Sequence, residues 1–502
     1  MENEMKAIIL AAGVGSRLTE ITSFKPKCLT RVNGKPLIQY LIESYINAGL
    51  NENDIYVLAG YKCEMVELFI SETFPLVKVI NNVDYSTTNN MYSLYLALQL
   101  KDFSSNHSVL INNGDCIYDK DLIKGLVASG HTDLIAVDVS KFEEESMKVR
   151  IKDGTITDIS KEISEVDAFG VSIDLYLFSS ESVKILKEII HNYIDLQKQR
   201  NLWTEVAIQQ MFSKAEIKAY DIQGKRWVEI DNMNDLRSAD GLFTEYNVRN
   251  KKCFIVDLDG TVYLGRKPIQ GTIDFIKNNL SKKDFFFLTN NTSKTPSDYV
   301  KQLSMYDINI QENQVITPFI PLIEYIKKEQ LTDIFLIANK KASAYLSFMI
   351  PDIKFTSDYS ACKTVILMYD TELNYEKVRI ASLALHANDT KFIATHSDIV
   401  CPTEKGNIPD IGSIIALLKS ATGREPEIVF GKPNIALLNE IKSSYSNDDI
   451  VIIGDRLYTD KKLADNAGID FILVLSGESK RHEVELCDKF PADIVENLSA
   501  FI

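Results

Sequence analysis

The sequence predicts an α/β protein made of two consecutive domains, each built on a mostly parallel sheet. The chain has 502 residues, which exceeds the length at which one hydrophobic core usually stops growing. Short apolar runs alternate with helical patterns along the chain, as in proteins whose parallel strands are joined by helices. A polar stretch at 246–252 separates one helical pattern from a new apolar run. We therefore expect one domain over residues 1–247 and a second over residues 252–502.

The first domain is predicted to open with a buried strand, Lys6–Leu10, that runs directly into a glycine loop. A helix is predicted over Lys35–Ala48, because apolar residues recur at helical spacing and Pro36 suits the first turn. Two more helices are predicted at Asn89–Leu100 and Met233–Phe243. The remaining strands are predicted at Ile55–Ala59, Val77–Ile80, Ser108–Asn112 and Asp133–Val137.

The second domain restarts the same alternation with a buried strand at Cys253–Val256. Its further strands are predicted at Phe285–Leu288, Ile334–Ile337, Thr364–Met368, Lys391–Ala394, Ile428–Phe430, Ile450–Ile453 and Phe471–Leu475. Their number and spacing predict a complete second α/β fold rather than an extension of the first.

Composition excludes several classes of function. The formal net charge is −15, and so acidic a chain is a poor binder of nucleic acid. No apolar run approaches the roughly 18 residues that a membrane helix needs, and the first residues lack the basic start of a secretory signal. The seven cysteines are scattered, with no CxxC pair, which favours reduced thiols. We expect a cytoplasmic protein without membrane insertion; assembly into a homo-oligomer stays open.

A glycine-rich loop follows the first strand and reads Leu10-Ala11-Ala12-Gly13-Val14-Gly15-Ser16-Arg17-Leu18. Glycines after a buried strand let backbone N–H groups approach phosphate oxygens without side-chain clashes. Lys25-Pro26-Lys27 adds two cations downstream. The whole string therefore predicts a loop that binds a triphosphate. The candidate binding residues are Leu10, Ala12, Gly13, Gly15, Arg17, Lys25 and Lys27.

Residues 6–240 resemble the sugar-phosphate-type nucleotidyltransferases, whose first strand and loop carry this string. The resemblance implies a Rossmann-like fold that takes a nucleoside triphosphate. It further implies that Asp115, in Asn113-Gly114-Asp115, binds Mg²⁺ together with Asp231 of the segment Trp227–Asn232. Mg²⁺ prefers carboxylate and phosphate oxygens, so two aspartates bridged by a triphosphate fit this role. Taken alone, Asp115 would equally suit a cap of the turn after a strand.

Within that family the chain looks closest to CTP:phosphocholine cytidylyltransferases and their aminoethylphosphonate relatives. The segments that carry this likeness are Lys25-Pro26-Lys27, Asn89–Leu94, Met147–Val149, Ile159–Lys161 and Glu229–Asp231. The likeness implies that Asn90 lines the substrate pocket. It also implies that a phosphate or phosphonate oxygen attacks the α-phosphorus of CTP and releases pyrophosphate. Lys27 would steady the acceptor or the α-phosphate, and Arg17 the leaving pyrophosphate.

Alternatives stay open in this half. A hexose- or alditol-1-phosphate nucleotidyltransferase using UTP, GTP or CTP would share the fold. Lys148 and Lys161 are as readily solvated surface lysines as substrate ligands. Trp227 is either a core residue or an aromatic face for a quaternary ammonium group.

The second domain carries paired carboxylates, Asp257 and Asp259, directly after its first strand. Two carboxylates in these positions can take different catalytic roles: one attacks phosphorus, and the other protonates the leaving alcohol. Three further polar segments follow buried strands in order. They are Thr289-Asn290-Asn291, Gly431-Lys432-Pro433 and Gly454-Asp455, the last with Asp460 close behind.

This ordered set resembles the haloacid dehalogenase phosphatases across residues 252–498, in the p-nitrophenylphosphatase and nucleotidase branch. The resemblance implies a Rossmannoid domain with an inserted α/β cap at approximately 315–425. It implies that Asp257 is the nucleophile and Asp259 the general acid/base. Mg²⁺ would be held by Asp257, Asp259 and Asp455, and the phosphoryl oxygens by Thr289, Asn290 and Lys432.

One segment of the cap departs from the common wording of that branch. The segment from His396-Ser397-Asp398 through Pro409-Asp410-Ile411-Gly412-Ser413 aligns with the region of that branch that faces the substrate. His396-Ser397-Asp398 stands where Asn-Pro-Asp is more usual. His396 is therefore a candidate site residue, although a loop or core histidine is the more frequent case.

The leading hypothesis is a bifunctional enzyme of surface-polymer or lipid-headgroup metabolism. One domain would transfer CMP from CTP, or a nucleotide from another nucleoside triphosphate, to a small phosphorylated or phosphonate metabolite. The other would hydrolyse a phosphate monoester, and both would use Mg²⁺. A nucleotide-sensing or scaffold protein would require both sets of aspartates to be idle.

Overall fold

A computed structural model describes residues 5–103, 107–142, 144–387, 389–403 and 406–502. The chain divides into two compact units, Met1–Phe243 and Thr244–Ile502. The first four residues, on which the expectation about a secretory signal partly rests, lie outside the described residues. None of the described helices combines the length and the apolar character that crossing a membrane requires.

The first unit is a mixed sheet covered by helices on both faces. Its strands are β1 (Met5–Ala11), β2 (Arg31–Val32), β3 (Lys35–Pro36), β4 (Ile55–Ala59), β5 (Lys78–Asn81), β6 (Ser108–Asn113), β7 (Cys116–Tyr118), β8 (Leu134–Asp138), β9 (Lys148–Lys152), β10 (Thr155–Ser160), β11 (Gly170–Phe178), β12 (Lys218–Asp221) and β13 (Trp227–Glu229). Its helices are α1 (Thr19–Thr22), α2 (Leu37–Asn47), α3 (Cys63–Thr73), α4 (Asn90–Leu98), α5 (Leu122–Ala128), α6 (Ser180–His191), α7 (Thr204–Met211) and α8 (Met233–Leu242).

The main sheet runs in the order β10-β9-β11-β6-β1-β4-β5, with β8 beside β11 and β12 beside β8. Strands β6, β1, β4 and β5 are parallel, so the loops after β1 and β6 lie at the same edge. Alternate residues of β1 enter opposite cores: Ala7 and Ile9 pack on the side of α2, Ile8 and Leu10 on the side of α4. This alternation is the period of two that a strand buried on both faces requires.

Two features of this unit differ from the predictions. Helix α2 begins at Leu37, because Lys35–Pro36 pairs with β2 in a small antiparallel ribbon and Pro36 becomes the residue before the helix. Strand β11 runs antiparallel to both β6 and β8, so the sheet is not mostly parallel. The pattern does not predict β11, since Asp174 interrupts its apolar run; the structure gives Asp174 a positive φ of 56°.

The second unit contains two parallel sheets, one inserted into the chain of the other. Its strands are β14 (Cys253–Asp257), β15 (Tyr263–Leu264), β16 (Lys267–Pro268), β17 (Asp284–Leu288), β18 (Val315–Ile316), β19 (Ile334–Ile337), β20 (Thr364–Leu367), β21 (Lys391–Ala394), β22 (Val400–Thr403), β23 (Gly406–Pro409), β24 (Ile428–Val429), β25 (Ile450–Gly454), β26 (Asp470–Val474) and β27 (Asp493–Val495). Its helices are α9 (Gln270–Asn279), α10 (Pro296–Ser304), α11 (Phe319–Glu329), α12 (Lys340–Met349), α13 (Tyr375–Leu385), α14 (Ile411–Thr422), α15 (Asn439–Ser444) and α16 (Lys462–Ala467).

The core sheet has the order β18-β17-β14-β25-β26-β27, and the inserted sheet has the order β19-β20-β21-β24. All neighbours within each sheet are parallel. Strand β24, predicted as part of one continuous series, belongs to the inserted sheet and leads directly back to Gly431-Lys432-Pro433. The α/β class is confirmed, and the carboxyl ends of β14, β17 and β25 meet at one edge.

The segment before β14 packs with the second unit. Val248 is 4% exposed and joins the core that contains Phe254. The Lys251 ammonium lies 2.7 Å from the Asp470 carboxylate, and Tyr246 donates a hydrogen bond of 3.3 Å to the same carboxylate. Residues 244–251 therefore contribute to the stability of this unit, although they precede its first strand.

A fragment over residues 244–502 should be more stable than one over 252–502, because the shorter fragment loses Val248 and Lys251 from the packed surface. We expect the difference to be about 1–3 kcal/mol, or roughly 3–10 °C in the midpoint of thermal unfolding. Circular dichroism melts of both fragments measure it, with Lys251→Met in the longer fragment isolating the ion pair. Equal midpoints would mean that the segment contributes nothing.

Candidate active sites

The loop after β1 is held by a close approach between Gly15 and Lys27. Gly15 has a φ of +69°, and a Cβ there would come within 3.0 Å of Lys27 Cβ and Thr22 Cγ2. Thr22 donates a hydrogen bond of 3.0 Å to the Gly15 carbonyl. Glycine is therefore required at this position, and the loop carries Lys27 toward the end of β6.

Three carboxylates come together beside that loop. Oxygens of Asp115, Glu229 and Asp231 lie within 4.8 Å of one another. The antiparallel pairing of β13 with β7 produces this arrangement, because it sets Glu229 opposite Cys116. Residues far apart in sequence thus form one acidic cluster at the edge of the sheet.

Lys27 bridges this cluster. Its ammonium lies 2.6 Å from Asp115 and 3.0 Å from Asp231, and the Lys27 side chain is 12% exposed. Arg17 reaches the second oxygen of Asp231 at 2.7 Å, although the Arg17 side chain is mostly exposed. The structure therefore brings together four predicted residues, Arg17, Lys27, Asp115 and Asp231.

Burial disfavours the charged form of Lys27, but the two carboxylates outweigh it and raise the pKa of Lys27 above its usual range. Burial would also raise the pKa of Asp231, yet Lys27 and Arg17 hold that pKa below its usual range. Burial and the neighbouring acids raise the pKa of Glu229 to about 9. At neutral pH the cluster therefore holds Lys27 charged, Asp231 ionised and Glu229 protonated.

Two pockets adjoin the cluster. One of about 200 Å³ is lined by the predicted residues Leu10, Ala12, Gly13, Asn90 and Asp115. The other, of about 410 Å³, is lined by residues that include Arg17, Lys161, Trp227, Glu229 and Asp231. Lys25, predicted beside the phosphates, is instead buried, with its ammonium 5.8 Å from the centre of the Phe24 ring.

Sequence reasoning missed a second group of buried acids behind Asn90. Asn113 donates a hydrogen bond of 2.8 Å to Asp174, and Tyr176 reaches both Asp174 and Glu205. Burial, with Glu205 nearby, raises the pKa of Asp174 to about 8. Neither acid belongs to a recognisable motif, and only the fold brings them together.

Trp227 is 6% exposed. Its indole N–H donates a hydrogen bond of 2.7 Å to Asp138, and the Lys141 ammonium lies 4.9 Å from the ring centre. The ring is thus largely a core element whose accessible side already carries a cation.

In the second unit, Lys432 lies between Asp257 and Asp460. Its ammonium contacts Asp257 Oδ1 and lies 2.6 Å from Asp460 Oδ1. The Lys432 side chain is 2% exposed. Burial opposes its charge, but the two carboxylates outweigh burial and raise the pKa of Lys432.

Asp257, Asp455 and Asp460 form a buried cluster that suits a divalent cation. Their oxygens lie within 4.8 Å of one another. Asp455 Oδ2 accepts a hydrogen bond of 2.7 Å from the Glu478 N–H, whereas Asp455 Oδ1 is buried and has no hydrogen-bond partner among the described residues. A buried carboxylate oxygen that lacks a hydrogen-bond donor among the described residues, and lies beside two other acids, is suited to bind a cation that prefers oxygen ligands, such as Mg²⁺.

The electrostatics of this cluster agree with that fit. Burial, with Asp460 nearby, raises the pKa of Asp455 to about 7. Burial also raises the pKa of Asp257, despite Lys432. A divalent cation would supply the positive charge that crowded carboxylates need in order to stay ionised.

Asp259 lines a small cavity of about 30 Å³ with Asp257, Thr289, Asn290 and Lys432. Burial raises the pKa of Asp259, although Lys294 and Arg456 counteract it. The raised pKa favours the protonated form of Asp259, which is the form that a general acid needs. All predicted phosphatase residues reach this cavity or, in the case of Asp455, the adjoining acidic cluster.

The inserted sheet supplies the opposite wall of the cavity. Asp398, after β21, accepts hydrogen bonds from Asn290 at 3.1 Å and from Arg456 at 3.0 Å. Asn290 in turn accepts a hydrogen bond of 2.7 Å from the Lys432 N–H. Arg456 was not predicted; it stands next to Asp455, but nothing in the sequence indicates its partner across the cavity.

Comparisons with known proteins agree with this geometry. A family model described as "Nucleotidyl transferase" matches residues 6–245. Models described as "Haloacid dehalogenase-like hydrolase" and "HAD-hydrolase-like" match residues 254–348 and 429–501. The two hydrolase matches flank the inserted sheet.

Similar proteins cover the second unit. The acid sugar phosphatase of Staphylococcus saprophyticus is 30% identical over 245 residues, 47% of this chain and 92% of that protein. The 5'-nucleotidase YutF of Bacillus subtilis is 29% identical over 267 residues, 51% of this chain and 99% of that protein. The 4-nitrophenylphosphatase structure from Thermotoga maritima is 34% identical, with a TM-score of 0.46, covering 50% of this chain and 96% of that one.

The family models, the acid sugar phosphatase match and the two assembled sites identify the chain as an enzyme with two activities. It belongs to the haloacid dehalogenase-like hydrolases through its phosphatase half and carries a nucleotidyl transferase domain in its other half.

Proposed function

We propose that the enzyme transfers CMP from CTP to a small phosphate or phosphonate acceptor, phosphocholine-like or a polyol phosphate, with release of pyrophosphate. Its second activity hydrolyses a phosphate monoester through an aspartyl-phosphate. We further propose that each reaction belongs to its own domain and that both serve the same cytoplasmic pathway of surface-polymer precursors. The observation that carries the proposal is the lysine-bridged pair of carboxylates in each unit, Asp115–Lys27–Asp231 and Asp257–Lys432–Asp460.

In the transferase, the loop after β1 would bind the triphosphate through backbone N–H groups. A magnesium ion held by Asp115 and Asp231 would neutralise phosphate oxygens. Lys27 now occupies the space between these two carboxylates. With a cation held by these two carboxylates, the Lys27 ammonium would be available to the α-phosphate, and Arg17 would neutralise the leaving pyrophosphate. The acceptor oxygen attacks phosphorus, and catalysis consists of positioning and charge neutralisation.

In the phosphatase, a carboxylate oxygen of Asp257 would attack phosphorus and form an aspartyl-phosphate. A magnesium ion held by Asp257, Asp455 and the Asp259 carbonyl would offset the charge of the phosphoryl group. Thr289, Asn290 and Lys432 bind its oxygens. Asp259 gives its proton to the leaving alcohol and then takes one from the water that hydrolyses the aspartyl-phosphate. Its raised pKa suits it to the first of these steps.

The structure also bears on the acceptor. The Lys141 ammonium lies over the Trp227 ring, which leaves that face less suited to a quaternary ammonium group. Arg17 and Lys161 line the same pocket of about 410 Å³, together with four acids that include Glu229 and Asp231. The cation already on the Trp227 ring favours a polyol phosphate over phosphocholine, because it occupies the face that a quaternary ammonium group would need. An alditol- or sugar-phosphate nucleotidyltransferase that uses another nucleoside triphosphate is therefore the second candidate.

Substrate identity is tested with the Asp257→Asn protein, in which hydrolysis cannot remove the acceptor. With Mg²⁺ and each nucleoside triphosphate in turn, we expect phosphorus NMR to detect pyrophosphate and a new diphosphate only with CTP and a small acceptor. The acceptor panel comprises phosphocholine, aminoethylphosphonate, glycerol phosphates, alditol phosphates and hexose 1-phosphates. A product from hexose 1-phosphate and another nucleotide would replace the cytidylyltransferase proposal with the second candidate.

The two activities should separate by mutation. Asp257→Asn should lower phosphatase turnover by about a thousandfold or more and leave pyrophosphate release intact, because it removes the nucleophile alone. Asp115→Asn should do the reverse. The matched controls are Asp307→Asn and Asp153→Asn, which change carboxylates on exposed turns. Loss of both activities in either site variant would contradict independent sites.

Magnesium activation of the phosphatase should weaken as the pH falls. The pKa of Asp455 is raised to about 7 in the metal-free protein, so below that pH a proton must be displaced before a cation binds. Above that pH the carboxylate is already ionised. We expect the magnesium concentration for half-maximal activity to rise roughly tenfold per pH unit below neutrality, for one displaced proton. Titrations at about pH 6 and about pH 8 measure it, and equal values would contradict the assignment.

A further inference from the structure

The cavity of the phosphatase has a carboxylate on its cap side that the proposed reaction does not use. Asp410 follows β23, is 5% exposed and lines the same cavity as Asp259 and Lys432. Its Oδ1 accepts two hydrogen bonds, from the Ile411 N–H at 2.7 Å and from His396 Nε2 at 2.9 Å. No hydrogen bond reaches its Oδ2 from any described residue. When only one oxygen of a buried carboxylate is hydrogen-bonded, the other oxygen can accept a hydrogen bond from a substrate.

A chain of hydroxyl groups fixes the orientation of His396. The Tyr369 N–H donates to Thr292 Oγ1 at 3.0 Å, which lies 3.2 Å from Thr395 Oγ1. Thr395 Oγ1 lies 3.4 Å from His396 Nδ1. If each hydroxyl donates onward, Nδ1 accepts and the Nε2 proton points at Asp410, which satisfies every atom of the chain. His396 is fully buried, so it acts on Asp410 and does not reach the substrate.

We propose that Asp410, held by His396, sets the substrate class of the phosphatase by accepting a hydrogen bond from a hydroxyl group on the leaving alcohol. The preferred substrates are small polyol or sugar phosphates. This inference rests on the proposed hydrolysis at Asp257 and names the substrates of that same site.

The charges around the cavity support a hydroxyl-bearing leaving group over an anionic one. Carboxylates line it on both sides, at Asp257 and Asp259 and at Asp398 and Asp410. Asp398 is already engaged by Asn290 and by the ion pair with Arg456. A leaving group with its own carboxylate or second phosphate would therefore meet the open oxygen of Asp410 and be repelled.

The size of the cavity places that hydroxyl near the phosphate. The cavity is small, about 30 Å³, and Asp410 lines it together with Asp257, Asp259 and Lys432. A phosphoryl group bound at Asp257 therefore brings the first carbons of the leaving alcohol close to Asp410. A hydroxyl on one of these carbons can reach the open oxygen, whereas a remote hydroxyl cannot.

The test compares substrates that differ only in hydroxyl groups, on the full-length protein with Mg²⁺. The wild type should hydrolyse glycerol 1-phosphate with a kcat/KM about tenfold or more above that of propyl phosphate, since a site built to bond a hydroxyl rejects the analogue without it. In Asp410→Asn this ratio should fall about tenfold, and 2-phosphoglycolate should improve relative to p-nitrophenyl phosphate. Asparagine still caps α14, so the fold is retained; Asp352→Asn, an exposed cap carboxylate, is the matched control.

Each outcome decides the question. A wild type that shows no preference between glycerol 1-phosphate and propyl phosphate overturns the inference, even if the variant misfolds. An Asp410→Asn protein that loses both substrates equally shows a structural role and also overturns it. A wild type that hydrolyses neither these esters nor p-nitrophenyl phosphate would instead refute the proposed phosphatase reaction.

Discussion

A single lysine ammonium lies between two carboxylates in each unit, and the candidate sites are organised around this contact. Lys27 bridges Asp115 and Asp231, and Lys432 bridges Asp257 and Asp460. The fold brings these acids together from separate elements, with Asp257 at the end of β14, Asp460 in the helical turn Leu457–Lys461 and Asp231 after β13. Like charges at such distances repel one another. Removing a partner from a buried ion pair costs about 3–5 kcal/mol, because a charge is left uncompensated. The lysines therefore hold both sites together before any substrate arrives.

The same contact explains how charge can be exchanged when substrates bind. A cation held by either cluster would neutralise the carboxylates and leave the ammonium available to phosphate oxygens. Because the substrate phosphate would bring negative charge with the cation, the total charge of the site would change little on binding, which would lower the cost of reorganising it. The two sites differ in burial. In the transferase cluster the Arg17 side chain is mostly exposed, whereas the side chains of Lys432 and Asp460 are almost completely buried. The deeper site suits a phosphatase, whose aspartyl-phosphate must be protected from all but one water molecule.

The sequence was sufficient for residues that directly follow buried strands. Asp257, Thr289 and Asp455 were predicted as one set because each follows a buried strand, and the structure brings Thr289 and Asp455 to Asp257. Glu229, Arg456 and the pair His396–Asp410 act through partners on distant elements, so no local pattern reveals their contacts. Strand β11 escaped prediction for a related reason: Asp174 looks like a break in the strand, but it turns inward to Asn113 in a register shift.

Substrate selection at the cap also determines whether the two reactions can coexist. The transferase needs the phosphate of its acceptor as a nucleophile, whereas the phosphatase removes phosphate from monoesters. If both domains accepted the same polyol phosphate, hydrolysis would compete with conjugation for every acceptor molecule. If Asp410 selects the leaving alcohol as proposed, the phosphatase would choose among phosphate esters by the carbons nearest the phosphate, because Asp410 lines the same cavity as the nucleophile. Competition would then be limited to acceptors that present a hydroxyl group to this carboxylate.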